Sequence, residues 1–375
     1  MYELYYTKLG HVYVGDSRKL LASIVDNSVD LIITSPPFAL QRKKEYGNRD
    51  QDEYVDWLVQ FGHDIFRVLK ETGSFVLDIG GAYKKRRPVR SLYNFRVLIR
   101  MCDDCGFNLA EEFFWHNPAK LPSPIEWVNK RKIRAKDSVN TVWWLSKTDF
   151  PKADIKKVLV PYSDRMKKLL KDPDSFYKPK KRPSGHDISK NFGASANGGA
   201  IPSNLLQFPN TDSNSLYLRL CKELSAKKHP ARFPAKLPGF FIDFLTDEND
   251  LVLDIFAGSN TTGEVAEKRG RRWIACDLDR DYLAASALRF FEKPINEKQM
   301  KIFRELSRGS ELPIDLTKIK RQQELFAQGV APNRVRGSFS LPLPTTPRHA
   351  GPLQRRTSPP EADKRTGRFT KLIGP

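Results

Sequence analysis

The sequence predicts an α/β fold: a doubly wound, mostly parallel sheet with a basic region inserted into it. Two observations carry that prediction. Short apolar runs at Val29–Ile33, Ser74–Ile79, Leu251–Ile255 and Arg272–Cys276 read as buried strands, and segments of helical period separate them. Two of the runs also end in unusual segments, Ser35-Pro36-Pro37-Phe38 and Phe256-Ala257-Gly258-Ser259. In such sheets ligands gather outside the carboxyl ends of the strands, where strand order reverses.

Val12-Tyr13-Val14-Gly15-Asp16-Ser17 reads as an early strand and turn. After the Val29–Ile33 strand, Tyr54, Leu58, Phe61, Ile65, Val68 and Leu69 recur at helical spacing, which predicts a crossover helix over Asp52–Leu69. Ser74–Ile79 is the next strand, closed by Gly80-Gly81 and interrupted by Asp78. A helix around Tyr93–Cys105 and a strand near Glu111–Trp115 complete this half. Much later, the Leu251–Ile255 strand leads through a Gly/Ser turn into a helix over Thr261–Lys268 that stops at Gly270. The next strand ends at Asp277; the strand feeding Ser35 and the strand feeding Gly258 are expected to lie side by side, so that their tips share one crevice.

The two tips carry distinct chemistry. Prolines 36 and 37 cannot donate to a ladder, so they end the strand and stiffen the residues after them. That tip is left with a hydroxyl, a carbonyl and an aromatic ring, acceptors and a stacking face suited to a planar amine. At the other tip, free backbone N–H groups and a helix N-terminus attract an anionic group. Asp277, twenty-three residues past Asp254, stands where an acid accepts hydrogen bonds from a ribose diol. Asn260 occupies the middle-glycine position of a dinucleotide fingerprint, so a ligand with a ribose and a carboxylate but no pyrophosphate fits better. S-adenosylmethionine is such a ligand.

Composition narrows the field. The formal charge of +20 and pI near 9.7 are the footprint of a polyanion partner. From Asn117 to Lys190 there are 19 Lys/Arg against 8 Asp/Glu, with frequent proline and no strand–helix alternation. Lys178–Pro183 and Asn191–Gly199 read as exposed loops. From Ala331 to Pro375 there are 8 prolines and 9 Lys/Arg against 2 Asp/Glu, which predicts disorder. Thr357-Ser358-Pro359-Pro360-Glu361 copies the first motif there but comes after no strand. No run of eighteen apolar residues occurs and Met1–Lys8 has no signal-peptide core, so a soluble, cytoplasmic protein without a membrane partner is expected. Cys102, Cys105, Cys221 and Cys276 read as free thiols. No ligand spacing predicts a metal, and no cysteine is preceded by a proline, which argues against a Pro-Cys nucleophile.

Ser35-Pro36-Pro37-Phe38, Phe256-x-Gly258-Ser259-x-Thr261-Thr262-Gly263 and His229-Pro230-Ala231-Arg232-Phe233-Pro234 together resemble the amino-DNA methyltransferases, in the class whose catalytic motif precedes the cofactor motif. The runs Thr34–Gly47 and Leu121–Arg131 resemble the PvuII-type cytosine-N4 methyltransferases of restriction–modification systems. The likeness spans roughly residues 10 to 300.

This resemblance implies a sheet of the S-adenosylmethionine-dependent methyltransferase type and methylation of the exocyclic N4 of a flipped-out cytosine in duplex DNA. It implies a catalytic set of Ser35, Pro36, Pro37, Phe38 and Asp78. Asp16, near the adenine, together with Asp254, Phe256, Gly258, Ser259, Thr261 and Asp277, would hold the S-adenosylmethionine. The expected division is a catalytic half over 1–116, a target-recognition insert over 117–228 and a cofactor half over 229–300, then a helical extension over 301–330 and the tail 331–375. A companion restriction endonuclease, a monomer or weak dimer, and the palindrome CAGCTG are implied by resemblance alone. Adenine-N6 methylation, which more often resembles an Asp-Pro-Pro-Tyr/Phe motif, and a non-catalytic DNA-binding protein are the alternatives.

Overall fold

The computed structural model describes residues 1–39, 51–172, 197–211, 215–309, 312–317 and 319. The expectations for Gln41–Gly47, Lys178–Pro183, most of Asn191–Gly199 and everything from residue 320 onward, the tail and its Thr357–Glu361 segment included, lie outside those residues. The chain divides into two units, Met1–Gln323 and Glu324–Pro375, and the first of them carries the fold.

The chain opens with β1 (Tyr2–Tyr6), β2 (Gly10–Val14), α1 (Ser17–Ser23), β3 (Val29–Thr34), α2 (Gln51–Val68) and β4 (Leu69–Ile79). It continues through α3 (Tyr93–Asp103), β5 (Asn108–His116), β6 (Val139–Ser146), α4 (Asp164–Lys171), β7 (Leu205–Gln207), α5 (Leu216–Glu223) and α6 (Lys236–Leu245). The last elements are β8 (Leu251–Asp254), α7 (Thr261–Lys268), β9 (Arg272–Asp277), α8 (Arg280–Ser286), α9 (Glu297–Arg308) and β10 (Ile314–Asp315). Among the described residues these strands form one sheet in the order β10-β1-β2-β9-β8-β3-β4-β6-β5-β7. β2, β9, β8, β3 and β4 are mutually parallel, and β6 runs against both β4 and β5.

Both faces of the central strands are buried, which is why they read as nearly continuous apolar runs. Leu31, Ile33, Val76, Val252 and Ala275 point to the layer containing Phe241 of α6, Val265 of α7 and Leu283 of α8. Ile32, Phe75, Leu77 and Leu253 point to the opposite layer, with Leu21 of α1, Leu58 of α2 and Met101 of α3. Each such aliphatic side chain contributes roughly 1.5–3 kcal/mol on full burial. That core holds the strand ends, and the site with them, in fixed register.

Two element-level expectations change. β4 begins at Leu69, directly after α2, so the crossover helix ends one residue earlier than predicted and the strand starts five residues sooner. The basic stretch Asn117–Lys190, read as having no strand–helix alternation, supplies β6 between β4 and β5, and β7 follows at the sheet edge. Val139-Asn140-Thr141-Val142-Trp143-Trp144-Leu145 carries the β-branched and aromatic residues of a buried strand, but lysines and arginines on both sides obscure it. The opening residues form β1 and pair with β2 and β10.

Candidate functional site

β3 and β8 are hydrogen-bonded neighbours, pairing Leu31 with Val252 and Ile32 with Leu253. Their tips are therefore adjacent, and a buried carboxylate joins them. Thr34 Oγ1 donates to Asp254 Oδ1 at 2.7 Å, and Thr262 Oγ1 donates to Asp254 Oδ2 at 2.6 Å. The Phe256 N–H reaches both Thr34 Oγ1 (3.2 Å) and Asp254 Oδ1 (3.1 Å). Burial pushes the Asp254 carboxyl up to about 6 against these bonds. Asp254 thus ties the end of β3, the end of β8 and the first turn of α7 together from within.

At the β3 tip, Ser35 Oγ donates to Asp78 Oδ2 at 2.9 Å. Asn140 Nδ2, from β6, donates to Asp78 Oδ1 at 3.2 Å. Asp78 is fully enclosed, and that burial raises its carboxyl to about 6 although the Ser35 and Asn140 bonds and the charge of Lys120 oppose the shift. Pro36 is buried, while Pro37 and Phe38 are half-exposed. The Phe38 ring lies on Gly80, where a Cβ would fall 2.5 Å from a ring carbon, so only glycine lets the ring approach. The Tyr93 hydroxyl donates to the Gly80 carbonyl and fixes that floor.

At the β8 tip, Gly258 (φ +50°) and Asn260 (φ +53°) take the left-handed conformation that bends the chain back into α7. The Asn260 side chain caps the helix by accepting from Gly263 N at 3.1 Å. The N–H groups of Ser259, Thr261 and Thr262 have no acceptor among the described residues. Asp277, at the end of β9, accepts Gly258 N at Oδ2 (2.8 Å) and Asp279 N at Oδ1 (3.0 Å). Burial raises its carboxyl, with those two bonds opposing. Val14 pairs with Asp277, which brings Asp16 to the same edge. Asp16 is exposed there and caps α1 through Arg18 N at 3.0 Å.

The residues expected to form the catalytic and cofactor sets therefore stand along one carboxyl edge, at the ends of β2, β3, β4, β8 and β9. Ser259 and Thr261 turn their side chains away from it. Their hydroxyls turn inward to Arg289, leaving only their N–H groups toward the edge.

Sequence reasoning missed two residues, Arg289 and Asn140, and gave His229 of the His229–Pro234 motif no role in the site. Arg289 donates to Ser259 O at 2.5 Å and to Ser259 Oγ and Thr261 Oγ1 at 3.0 Å each, pairs with Glu264 at 2.5 Å, and lies 4.2 Å from the Tyr217 ring centre. Its signal was a lone arginine within the apolar run Tyr282–Phe291. Asn140 was hidden with β6. His229 packs edge-on to Tyr282, with ring centres 4.6 Å apart, beside Gly258, and burial lowers its pKa.

Among the described residues no group of His, Cys, Asp and Glu side chains is disposed to hold a metal, and no helix is long and apolar enough to cross a membrane.

A protein-family model described as DNA methylase, covering the N6 and N4 methyltransferases, matches residues 29–288. The chain is 61% identical over 312 residues to the type II methyltransferase M.PvuII of Proteus hauseri, across 83% of this chain and 93% of that relative. It is 26% identical over 275 residues to the type II methyltransferase M.BglII of Bacillus subtilis, across 73% and 67%. Among solved structures, a PvuII DNA methyltransferase (cytosine-N4-specific) superposes with a TM-score of 0.68 at 52% identity, covering 84% of this chain and 98% of that one.

Proposed function

The chain belongs to the N6/N4 DNA methylase family, and on that premise we propose that it methylates the exocyclic N4 of cytosine in duplex DNA from S-adenosylmethionine, as the modification enzyme of a type II restriction–modification system. The observation that carries this reading is the Thr34–Asp254 bond, which joins an acceptor-bearing tip to a glycine elbow on adjacent strands.

The residues present fit S-adenosylmethionine. A carboxylate offers about four acceptor positions. Asp277 uses one for Gly258 N and one for Asp279 N, so two remain for a ribose diol. Leu278, next to it and 75% exposed, offers an apolar face to an adenine, with Asp16 nearby. The unpaired N–H groups at the start of α7 suit the methionine carboxylate, and Phe256, packed against Trp57 and Phe61, walls the pocket. The cofactor supplies an electrophilic sulfonium methyl.

Cytosine N4 is a poor nucleophile because its lone pair is delocalised into the ring. Since Ser35 spends its proton on Asp78, its Oγ lone pairs are left for the substrate. Ser35 Oγ and the Pro36 carbonyl accept the two N4 protons and draw the nitrogen toward tetrahedral geometry. Both contacts strengthen as positive charge develops, so they stabilise the transition state more than the ground state. As the N–CH3 bond forms and the S–CH3 bond breaks, N4 gives a proton to Ser35 Oγ and Ser35 passes its own to Asp78. Asn140 holds that carboxylate in line. Pro37 stiffens the tip and Phe38 stacks on the extruded base, which must leave the helix at a cost of a few kcal/mol.

Ser35, where adenine enzymes more often resemble an Asp, favours cytosine over adenine. A net charge of +20 suits duplex DNA, and CAGCTG is the proposed site. The enzyme acts in the cytoplasm as a monomer or weak dimer, with a companion endonuclease as its functional partner. Nucleoside chromatography of duplex DNA incubated with enzyme and labelled S-adenosylmethionine tests the reaction. N4-methylcytosine is expected, and N6-methyladenine alone would overturn the choice of base.

A further inference from the structure

Base flipping leaves a hole in the duplex, and no residue assigned so far fills it. β5 runs parallel to β3 and β4, because it is antiparallel to β6, which is itself antiparallel to β4. The connection from β5 to β6, residues 117–138, therefore emerges at the same carboxyl edge as Ser35. It returns into β6 two residues before Asn140, the partner of Asp78.

This connection is held in one shape. Asn117 N donates to Ser138 O at 2.9 Å and closes its base, while Asn117 Oδ1 accepts from Ala119 N at 3.1 Å and from Asn210 N at 3.2 Å. Lys136 Nζ donates to Pro118 O at 3.1 Å and Asp137 N donates to Ser123 O at 3.1 Å. Arg90 pairs with Asp137 at 2.8 Å, and Arg134 Nε donates to Pro88 O at 3.0 Å.

On that frame sits an apolar side chain in a strongly cationic setting. Leu121 is 80% exposed. The segment holds six Lys/Arg and only two acids, Glu126 and Asp137, and both acids are already ion-paired, Glu126 with Lys130 and Arg131. A leucine left in water gains nothing in the free protein. Between stacked bases it gains apolar contact, while the cations around it meet phosphates.

We propose that Leu121 enters the duplex as a wedge and occupies the space vacated by the flipped cytosine. Lys120 on one side reaches for the backbone and Pro122 on the other limits the recoil of the tip. Ile125, 62% exposed, begins the turn Glu126–Lys130 and supports the wedge from behind. The proposal rests on the reading that the enzyme flips a cytosine, and its test separates the two.

Single-turnover methyl transfer by the full chain is compared on two duplexes, one with the target cytosine paired to guanine and one with it opposite adenine, a mismatch that weakens its pairing. Leu121→Ala should fall roughly tenfold or more on the paired duplex and recover to within about twofold of wild type on the mismatched one, since the mismatch supplies the extrusion that the wedge otherwise drives. Leu121→Met, which restores apolar length, should regain most of the paired-duplex rate. S-adenosylmethionine affinity should match wild type in both variants. A wild-type rate for Leu121→Ala on paired DNA, or an equal deficit on the two duplexes, would overturn the wedge. Wild-type enzyme that methylates neither duplex would bring down the parent reading, and the wedge with it.

Discussion

Thr34 Oγ1 and Asp254 Oδ1 lie 2.7 Å apart across 220 residues of sequence. That bond couples the tip of β3 to the glycine elbow of β8. A buried carboxylate stripped of a donor pays the desolvation of the oxygen left behind, about 1–3 kcal/mol. Thr34→Val keeps the shape and removes the hydroxyl. It should lower stability by about that amount in chemical denaturation and weaken turnover through misalignment of the two tips. Unchanged stability would remove the bond from the account.

The Ser35–Asp78–Asn140 chain predicts a pH signature. Asp78 must be ionised to take a proton, and burial has raised its carboxyl to about 6. The methyl-transfer rate should therefore fall as pH drops through about 6. Asp78→Asn should be nearly inactive at every pH, with no acid limb. The folded pKa lies above the ordinary carboxylate value, so protonation favours the fold. Its stabilisation is full below about pH 4 and is lost as pH rises through about 6. Asp78→Asn should accordingly melt at or above the wild-type temperature at pH 7.5, with the difference shrinking toward pH 4. A variant that loses stability and activity together at pH 7.5 would make Asp78 a structural group.

Ser35→Ala isolates the same tip from the other side. It should reduce turnover by roughly a hundredfold or more while cofactor and duplex affinities stay close to wild type. A near-normal rate would remove Ser35 from the chemistry.

Much of this site is legible in the sequence, for a physical reason. Pro36-Pro37 and Gly258 constrain the backbone themselves, so the residue types report the geometry. Asp277 ends an apolar strand, where a carboxylate is conspicuous. Asn140 and Arg289 escape such reading because their importance lies in what they touch. Asn140 is one polar residue in a strand hidden among lysines, and Arg289 acquires its role only when the fold buries it against Ser259, Thr261 and Tyr217. Neither contact has a local signature. The hydroxyls of Ser259 and Thr261 obey the same rule, since only Arg289 explains why they face inward.

Arg289 supports the elbow with a planar fork that a single ammonium cannot reproduce. Arg289→Lys should retain the charge opposite Glu264 but lose part of the grip on Ser259 and Thr261. Calorimetry should show S-adenosylmethionine binding weakened roughly tenfold, while the rate at saturating cofactor changes less. Unaltered cofactor affinity would reduce Arg289 to a core contact.

Asp277→Asn removes the charge at the expected ribose contact. It should weaken S-adenosylmethionine binding by roughly tenfold or more and leave duplex affinity in electrophoretic shifts near wild type. Parallel losses in both would mean that the residue maintains the fold.

The most direct measurement is a crystal structure of the full chain with a duplex carrying its site and a non-reactive S-adenosylmethionine analogue. The account predicts the target cytosine outside the helix, with N4 about 3 Å from Ser35 Oγ and from the Pro36 carbonyl and facing the analogue across the Thr34–Asp254 junction. A base whose N4 is held by other residues, or an analogue bound away from Asp277 and Gly258, would contradict it.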